Sequence, residues 1–144
     1  MNIKIKRVKD AAILPKYQTD GAAAMDVHAA IDAPMTIEPM QRLVVSSGFA
    51  IEIPVGYEAQ IRARSGLSLK YGICLANGVG TIDADYGGEV GVILINLSNE
   101  AFVVEPGTRI AQMVVAKCEK VQWDETDLLS ASKRGEKGYG STHH

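Results

Sequence analysis

Tyr57-Glu58-Ala59-Gln60-Ile61-Arg62-Ala63-Arg64 alternates without a break. Tyr57, Ala59, Ile61 and Ala63 point one way; Glu58, Gln60, Arg62 and Arg64 point the other. Successive side chains leave opposite faces of a pleated strand, so a period of two marks a half-buried strand. Ile3-Lys4-Ile5-Lys6 repeats the pattern, and Lys4, Lys6 and Lys9 read as a solvated strand face. Residues 43–45, 49–53, 90–97 and 110–116 are further apolar or β-branched runs. Between them stand Pro54-Val55-Gly56, Asn77-Gly78, Tyr86-Gly87-Gly88 and Glu105-Pro106-Gly107, where glycine admits positive φ and proline presets it. Many short strands with this punctuation predict an all-β sandwich or barrel. One short helix is expected over 65–71, with Ser65 as its N-cap.

The chain has 144 residues, about the length of one domain. Hydrophobic residues are 47% and charged residues 22%, a balance that excludes a chain without a core. Folding at this length removes roughly 70% of the unfolded surface from water, so the core needs no staples. Lys plus Arg is 15 and Asp plus Glu is 17, a net charge of -2. A general polyanion binder is excluded, and no nucleic-acid partner is expected. Cys74 and Cys118 are too few for a disulfide framework and lack zinc spacing. They read as small buried hydrophobes. Lysines interrupt the N-terminus, so no apolar signal core follows. The longest apolar runs fall far short of the ~20 residues of a membrane helix. A soluble, cytoplasmic protein without membrane contact is expected.

Three stretches could carry chemistry. Asp83-Ala84-Asp85-Tyr86 would place both carboxylates on one face of a continued strand, where one could deprotonate a water or hold a cation; a polar turn is the plainer alternative. Arg64-Ser65-Gly66-Leu67-Ser68 joins a strand end to a helix start, so backbone N–H groups, a hydroxyl and a guanidinium could converge on an anion; taken alone, a capped turn with a surface arginine is the plainer reading. Residues 130–144 lack aliphatic core residues after Ala131 and are rich in glycine. They are either a frayed tail or an arm that orders on a ligand, with Arg134, Lys137, Ser141 and Thr142 suited to phosphate and Tyr139 to a base. His28 is the one histidine before the last two residues, a poor basis for a Ser-His-Asp triad, and reads as a surface strand residue. No Walker loop occurs.

Taken in order, these pieces resemble the deoxyuridine triphosphatase (dUTPase) family. Five short stretches carry the likeness. Ala22-Ala23-Ala24-Met25-Asp26-Val27 is similar to the first family motif. Arg64-Ser65-Gly66-Leu67-Ser68-Leu69-Lys70-Tyr71-Gly72-Ile73 is similar to the second. Asn77-Gly78-Val79-Gly80-Thr81-Ile82-Asp83-Ala84-Asp85-Tyr86, with Gly88-Glu89-Val90, is similar to the third. Pro106-Gly107-Thr108-Arg109-Ile110-Ala111-Gln112 is similar to the fourth, and residues 134–142 to the fifth. Singly they are weak; five in the right order are specific.

The resemblance implies a compact jelly-roll-like β domain over 1–129 and a flexible arm over 130–144. It implies a homotrimer whose active sites are shared, the arm of one subunit closing over a pocket built by two others. The implied reaction converts dUTP and water to dUMP and pyrophosphate with Mg²⁺. Asp83 would orient and deprotonate the attacking water, and Gln112 would contact the α-phosphate. Arg64, Ser65 and Gly66 would hold the phosphate chain, and Asp26 would bind waters on Mg²⁺. Asn77, with backbone near Gly80 and Gly91, would read uracil, and Tyr86 would pack against the deoxyribose. In the arm, Tyr139 beside Gly140 would cap the base while Arg134, Ser141 and Thr142 grip the outer phosphates. The chain departs from the family pattern at Lys137, Tyr139, Gly87, Ala24 and Ala63, none of them an implied catalytic group. A dCTP deaminase on the same scaffold lacks support, because no glutamate falls in the required role; a silent nucleotide-sensing module would be expected to lose Asp83 or the arm.

Overall fold

The computed structural model describes residues 1–132. Two four-stranded antiparallel sheets and a two-stranded one share a single core. The first runs β1 (Lys4–Arg7), β4 (Arg42–Glu52), β8 (Glu89–Asn96), β6 (Ile73–Leu75). The second runs β2 (Met25–His28), β10 (Arg109–Lys117), β5 (Tyr57–Arg62), β7 (Gly80–Ile82). β3 (Met35–Ile37) pairs with β9 (Phe102–Val104). The all-β class stands; the pairings form separate sheets rather than one closed ring.

The alternation that opens the sequence reading becomes β5: Ala59 and Ile61 are buried, and Arg62 is exposed. Opposite them, Ile82 and Gly80 on β7 and Val115 and Met113 on β10 continue the inward row. Residues 43–45 and 49–53 look like two runs, but all of them except Ile53 belong to one strand. Between Ser46 and Ala50 β4 carries two extra residues relative to β8. An even excess leaves the parity intact, so Val45, Phe49 and Ile51 all reach the core. Gly48 makes the bulge feasible: its φ is 74°, and a Cβ there would lie 2.7 Å from the Cβ atoms of Ala12 and Ala30.

The short helix α1 spans Ser65–Tyr71 as expected, but Arg64, not Ser65, takes the cap position and makes no side-chain capping bond. Its guanidinium is turned to another use, described below. His28 lies on β2 half-buried rather than at the surface. Cys74 and Cys118 are half-buried, not core residues, and both are free thiols. At the end of β8 the fully buried Asn96 donates to the carbonyls of Ile37 and Glu100 and accepts from Ser98, which ties this sheet to β3. After β10 the described chain forms no further helix or strand, and Val121, Trp123, Leu128 and Leu129 are exposed, Trp123 by 92%. No helix of the described residues is long and apolar enough to cross a membrane.

Candidate active site

Register on the second sheet sets Gln112 of β10 between Asp26 of β2 and Arg62 of β5. Around that row a charged cluster forms. One Asp26 carboxylate oxygen lies 3.5 Å from Arg64 Nε, and the other lies 3.2 Å from Arg109 Nη1. Arg64 Nη1 also donates to the Arg109 carbonyl at 2.9 Å. Gln112 Nε2 donates to the Ala63 carbonyl at 3.0 Å, which fixes its amide where β5 gives way to α1. Two guanidiniums surround one carboxylate, leaving a net positive charge suited to an anion. Ser65 and Gly66 follow Arg64 as the exposed first residues of α1, and the first N–H groups of a helix have no acceptor within it.

Arg109 had no assigned role in the sequence. Strict alternation puts residues three apart, such as Arg109 and Gln112, on opposite faces. A bulge between Arg109 and Ala111 resets the phase, and Ile110 and Ala111 are both buried. Arg109 and Gln112 therefore share the face of Asp26. The signal was the quoted motif itself, since composition and period could not disclose the bulge. His28, opposite Arg109 in the register, adjoins the cluster. Burial pushes its pKa below the usual histidine value; Asp26 pulls upward, but Arg109, Arg64 and Lys16 add to the lowering. His28 thus stays neutral near pH 7, and its buried Nδ1 has no hydrogen-bond partner among the described residues.

A second assembly lies elsewhere. Asn77, Gly80, Tyr86 and Gly91 line one cavity of about 340 Å³, walled by Val44, Ile61, Ile82 and Ile93. Its size and apolar walls with a few polar groups suit a small planar ligand. Glycine lets the walls approach. A Cβ on Gly91 would sit 2.8 Å from Val44 Cγ1, and one on Gly80 would sit 3.3 Å from Asn77 Nδ2. The Tyr86 hydroxyl donates to the Glu89 carbonyl at 2.9 Å. The Glu89 carboxylate accepts from the Ser46 hydroxyl and, at 2.8 Å, from the Gly48 N–H. Burial raises its pKa, but those two bonds and Lys9 outweigh it and hold the carboxyl below its ordinary value. A larger hollow of about 480 Å³ between β1 and the 85–87 turn contains Tyr86 alone of the expected site residues. Volume alone therefore does not select the site; the convergence of Asn77, Gly80, Tyr86 and Gly91 does.

Asp83 belongs to neither group. It is exposed where β7 ends, its carbonyl accepts from the Tyr86 N–H at 3.1 Å, and it lines a hollow with Tyr57, Glu58 and Lys120. Ile82, just before it, pairs with Ala59, whereas Gln112 pairs with Arg62 on the far side of β5. Three residues along the strand and two strand spacings across separate Ile82 from Gln112 by roughly 14 Å. Side chains of Asp83 and Gln112 cannot meet on one water over that span. Arg134, Tyr139, Gly140, Ser141 and Thr142 lie outside the described residues.

The family model described as dUTPase matches residues 10–143. This chain belongs to the dUTPase family. A deoxyuridine 5'-triphosphate nucleotidohydrolase of Orientia tsutsugamushi (strain Ikeda) is 49% identical over 99% of this chain and 98% of its own. One of Anaplasma marginale is 49% identical over 90% of this chain and 88% of its own. Among solved structures, the dUTPase of Staphylococcus bacteriophage 80alpha with dUPNHPP superposes with a TM-score of 0.91 at 25% identity, covering 99% of both chains. All five dUTPase motifs fall within the matched span, and Asp26, Arg64 and Gln112 stand in the charged cluster, Asn77, Gly80, Tyr86 and Gly91 line the cavity, and Asp83 stands at the turn after β7.

Proposed function

We propose that this chain hydrolyses dUTP to dUMP and pyrophosphate in a site that several copies complete together. The observation that carries the activity is the dUTPase match over residues 10–143, with nucleotidohydrolase relatives at 49% identity. Asp83 accepts a proton from water as its oxygen attacks the α-phosphorus. The bond from that phosphorus to the α–β bridging oxygen breaks, and pyrophosphate leaves. Such displacements need positioning and charge neutralisation more than covalent help. Gln112 meets the α-phosphate, while Arg64, Ser65 and Gly66 hold the chain of phosphates. Asn77 and backbone near Gly80 and Gly91 read the uracil edge, where a thymine methyl would clash and cytosine would misalign its hydrogen bonds. Tyr86 packs against the deoxyribose. The arm closes over the site with Tyr139 and Gly140 at the base and Arg134, Ser141 and Thr142 at the outer phosphates.

Asp26 fits an indirect part in holding Mg²⁺. It is one carboxylate already matched by Arg64 and Arg109. No group of three or more metal-ligating side chains occurs among the described residues. Mg²⁺ keeps several waters and takes phosphate oxygens, so a lone acceptor for those waters suffices. Bound with the triphosphate, the ion neutralises phosphate charge.

The span between Asp83 and Gln112 supports a site shared between chains, and a homotrimer supplies that arrangement. Val121, Trp123, Leu128 and Leu129, exposed on one chain, are the apolar surface such an assembly would cover. Size exclusion with light scattering tests it: three chains are expected, and a monomer refutes the shared site. A cytoplasmic setting suits the two free thiols. The deciding assay follows pyrophosphate release from dUTP, dTTP, dCTP and UTP, with Mg²⁺ and with chelator. Release from dUTP alone, lost on chelation, is expected. No release from dUTP, or ammonia release from dCTP, refutes the reading.

A further inference from the structure

We infer that Glu89 is a positioning residue for sugar selectivity: through its tie to the β4 bulge it holds the Tyr86 ring in the cavity wall. The inference rests on the reading that Tyr86 packs against the deoxyribose.

The Tyr86 ring is fixed to the backbone that follows it. Its hydroxyl bonds the Glu89 carbonyl at 2.9 Å. It also lies over Gly88, where a Cβ would sit 2.6 Å from the hydroxyl and 2.8 Å from Cζ. The place of the ring therefore depends on where residues 88 and 89 sit. Those residues open β8 beside an interruption of its ladder: Ser46 pairs with Gly91 and Ala50 with Glu89, and the bulge lies between. A bulge leaves backbone groups without ladder partners and loosens the local register. The Glu89 carboxylate replaces the missing link by accepting from the Gly48 N–H at 2.8 Å and from the Ser46 hydroxyl. The Gly48 carbonyl in turn accepts from the Val8 and Lys9 N–H groups at 2.8 and 3.2 Å. An unbroken run of bonds thus joins the N-terminal segment, the bulge, the start of β8 and Tyr86. Rejection of an added hydroxyl by packing is limited to about a hundredfold. It fails quickly when the packing surface can retreat, so a fixed ring is required.

The test compares kcat/KM for dUTP with that for UTP in full-length variants. Their ratio cancels every group that both substrates use. Glu89→Ala is expected to lower the ratio about tenfold, chiefly through better use of UTP. Glu89→Gln keeps an acceptor oxygen for Gly48 and Ser46 and is expected to restore most of it. Tyr86→Phe removes the tether but keeps the ring, and the double variant with Glu89→Ala is expected to lose no more than Glu89→Ala alone, because both act through one link. Additive losses overturn the inference. So does a Glu89→Ala protein that melts earlier yet keeps its ratio. Should Glu89→Ala not fold, Ser46→Ala removes one of the two donors, and an unchanged ratio there is equally fatal. Tyr86→Ala separates the layers. An unchanged ratio in that variant refutes the place of Tyr86 at the sugar; a fall there with none in Glu89→Ala refutes only the role of Glu89.

Discussion

The cluster of Asp26, Arg64, Arg109 and Gln112 and the cavity of Asn77, Gly80, Tyr86 and Gly91 are built in opposite ways. In the first, side chains make the surface: the guanidiniums of Arg64 and Arg109 flank the Asp26 carboxylate, and the Gln112 amide beside them is held by the Ala63 carbonyl. The second is made by what side chains leave out, since Gly80 and Gly91 admit neighbours that a Cβ would displace. The first suits a charged, flexible ligand portion that needs counter-charge. The second suits a rigid, flat one that needs shape. A nucleoside triphosphate has both portions, and the two assemblies answer them separately.

The largest effect is expected from Asp83→Asn, a loss of about 10³ in kcat with dUTP still bound, because only the base is removed. Pyrophosphate release and calorimetric binding check it, and a fully active variant ends the assignment of Asp83. Next, Asp83→Asn and Gln112→Ala chains, each inactive, are refolded together. In a randomly mixed trimer with shared sites about a quarter of the sites combine both intact residues, so about that share of activity returns. No recovery above the separate variants places both residues in one chain's site. Gly91→Ala presses a methyl group on Val44. It is expected to raise KM for dUTP about tenfold and to cost about 1–3 kcal/mol of stability. Arg109→Ala is expected to raise KM less, by about threefold, since Arg64 still faces Asp26; a fall in kcat with KM unchanged would show that Arg109 acts in the chemistry instead.

The smallest effects concern pH, and they separate the regions. His28 beside the charged cluster has a folded pKa below the ordinary histidine value of 6.5. Below that value the unfolded chain binds the proton more readily, so stability present above pH 6.5 declines as pH falls through the lower folded value. Glu89 beside the cavity is also depressed, from 4.5, so its contribution persists to a lower pH and is lost only as pH drops beneath that value. Melting temperature against pH is expected to flatten below 6.5 in His28→Asn and below 4.5 in Glu89→Gln. Exchange of the two windows would contradict the environments assigned to them.

Much of the candidate site is legible in the sequence. Asp26, Arg64, Asn77, Asp83 and Gln112 stand in short stretches whose residue types and order are specific, and residues 57–64 declare their strand by period. What escaped the sequence has a common cause. Arg109 shares a face with Gln112 because a bulge resets the alternation. Residues 42–52 form one strand because Gly48 folds a second bulge into it. Arg64, not Ser65, caps α1, with its side chain turned to Asp26, which is 38 positions away in the chain but adjacent in the sheet. Each is a phase or partner set by a contact distant in sequence.

Local pattern alone gives the all-β class, the two faces of β5 and the inventory of charged, hydroxyl and glycine residues that a phosphate and a base require, because period and residue chemistry are local properties. Which of those residues stand together was decided by the tertiary structure. Strand register and bulges set that grouping, and both arise from pairing between segments far apart along the chain. The same pairing placed Asp83 and Gln112 at different points of one sheet, where no local pattern could have put them.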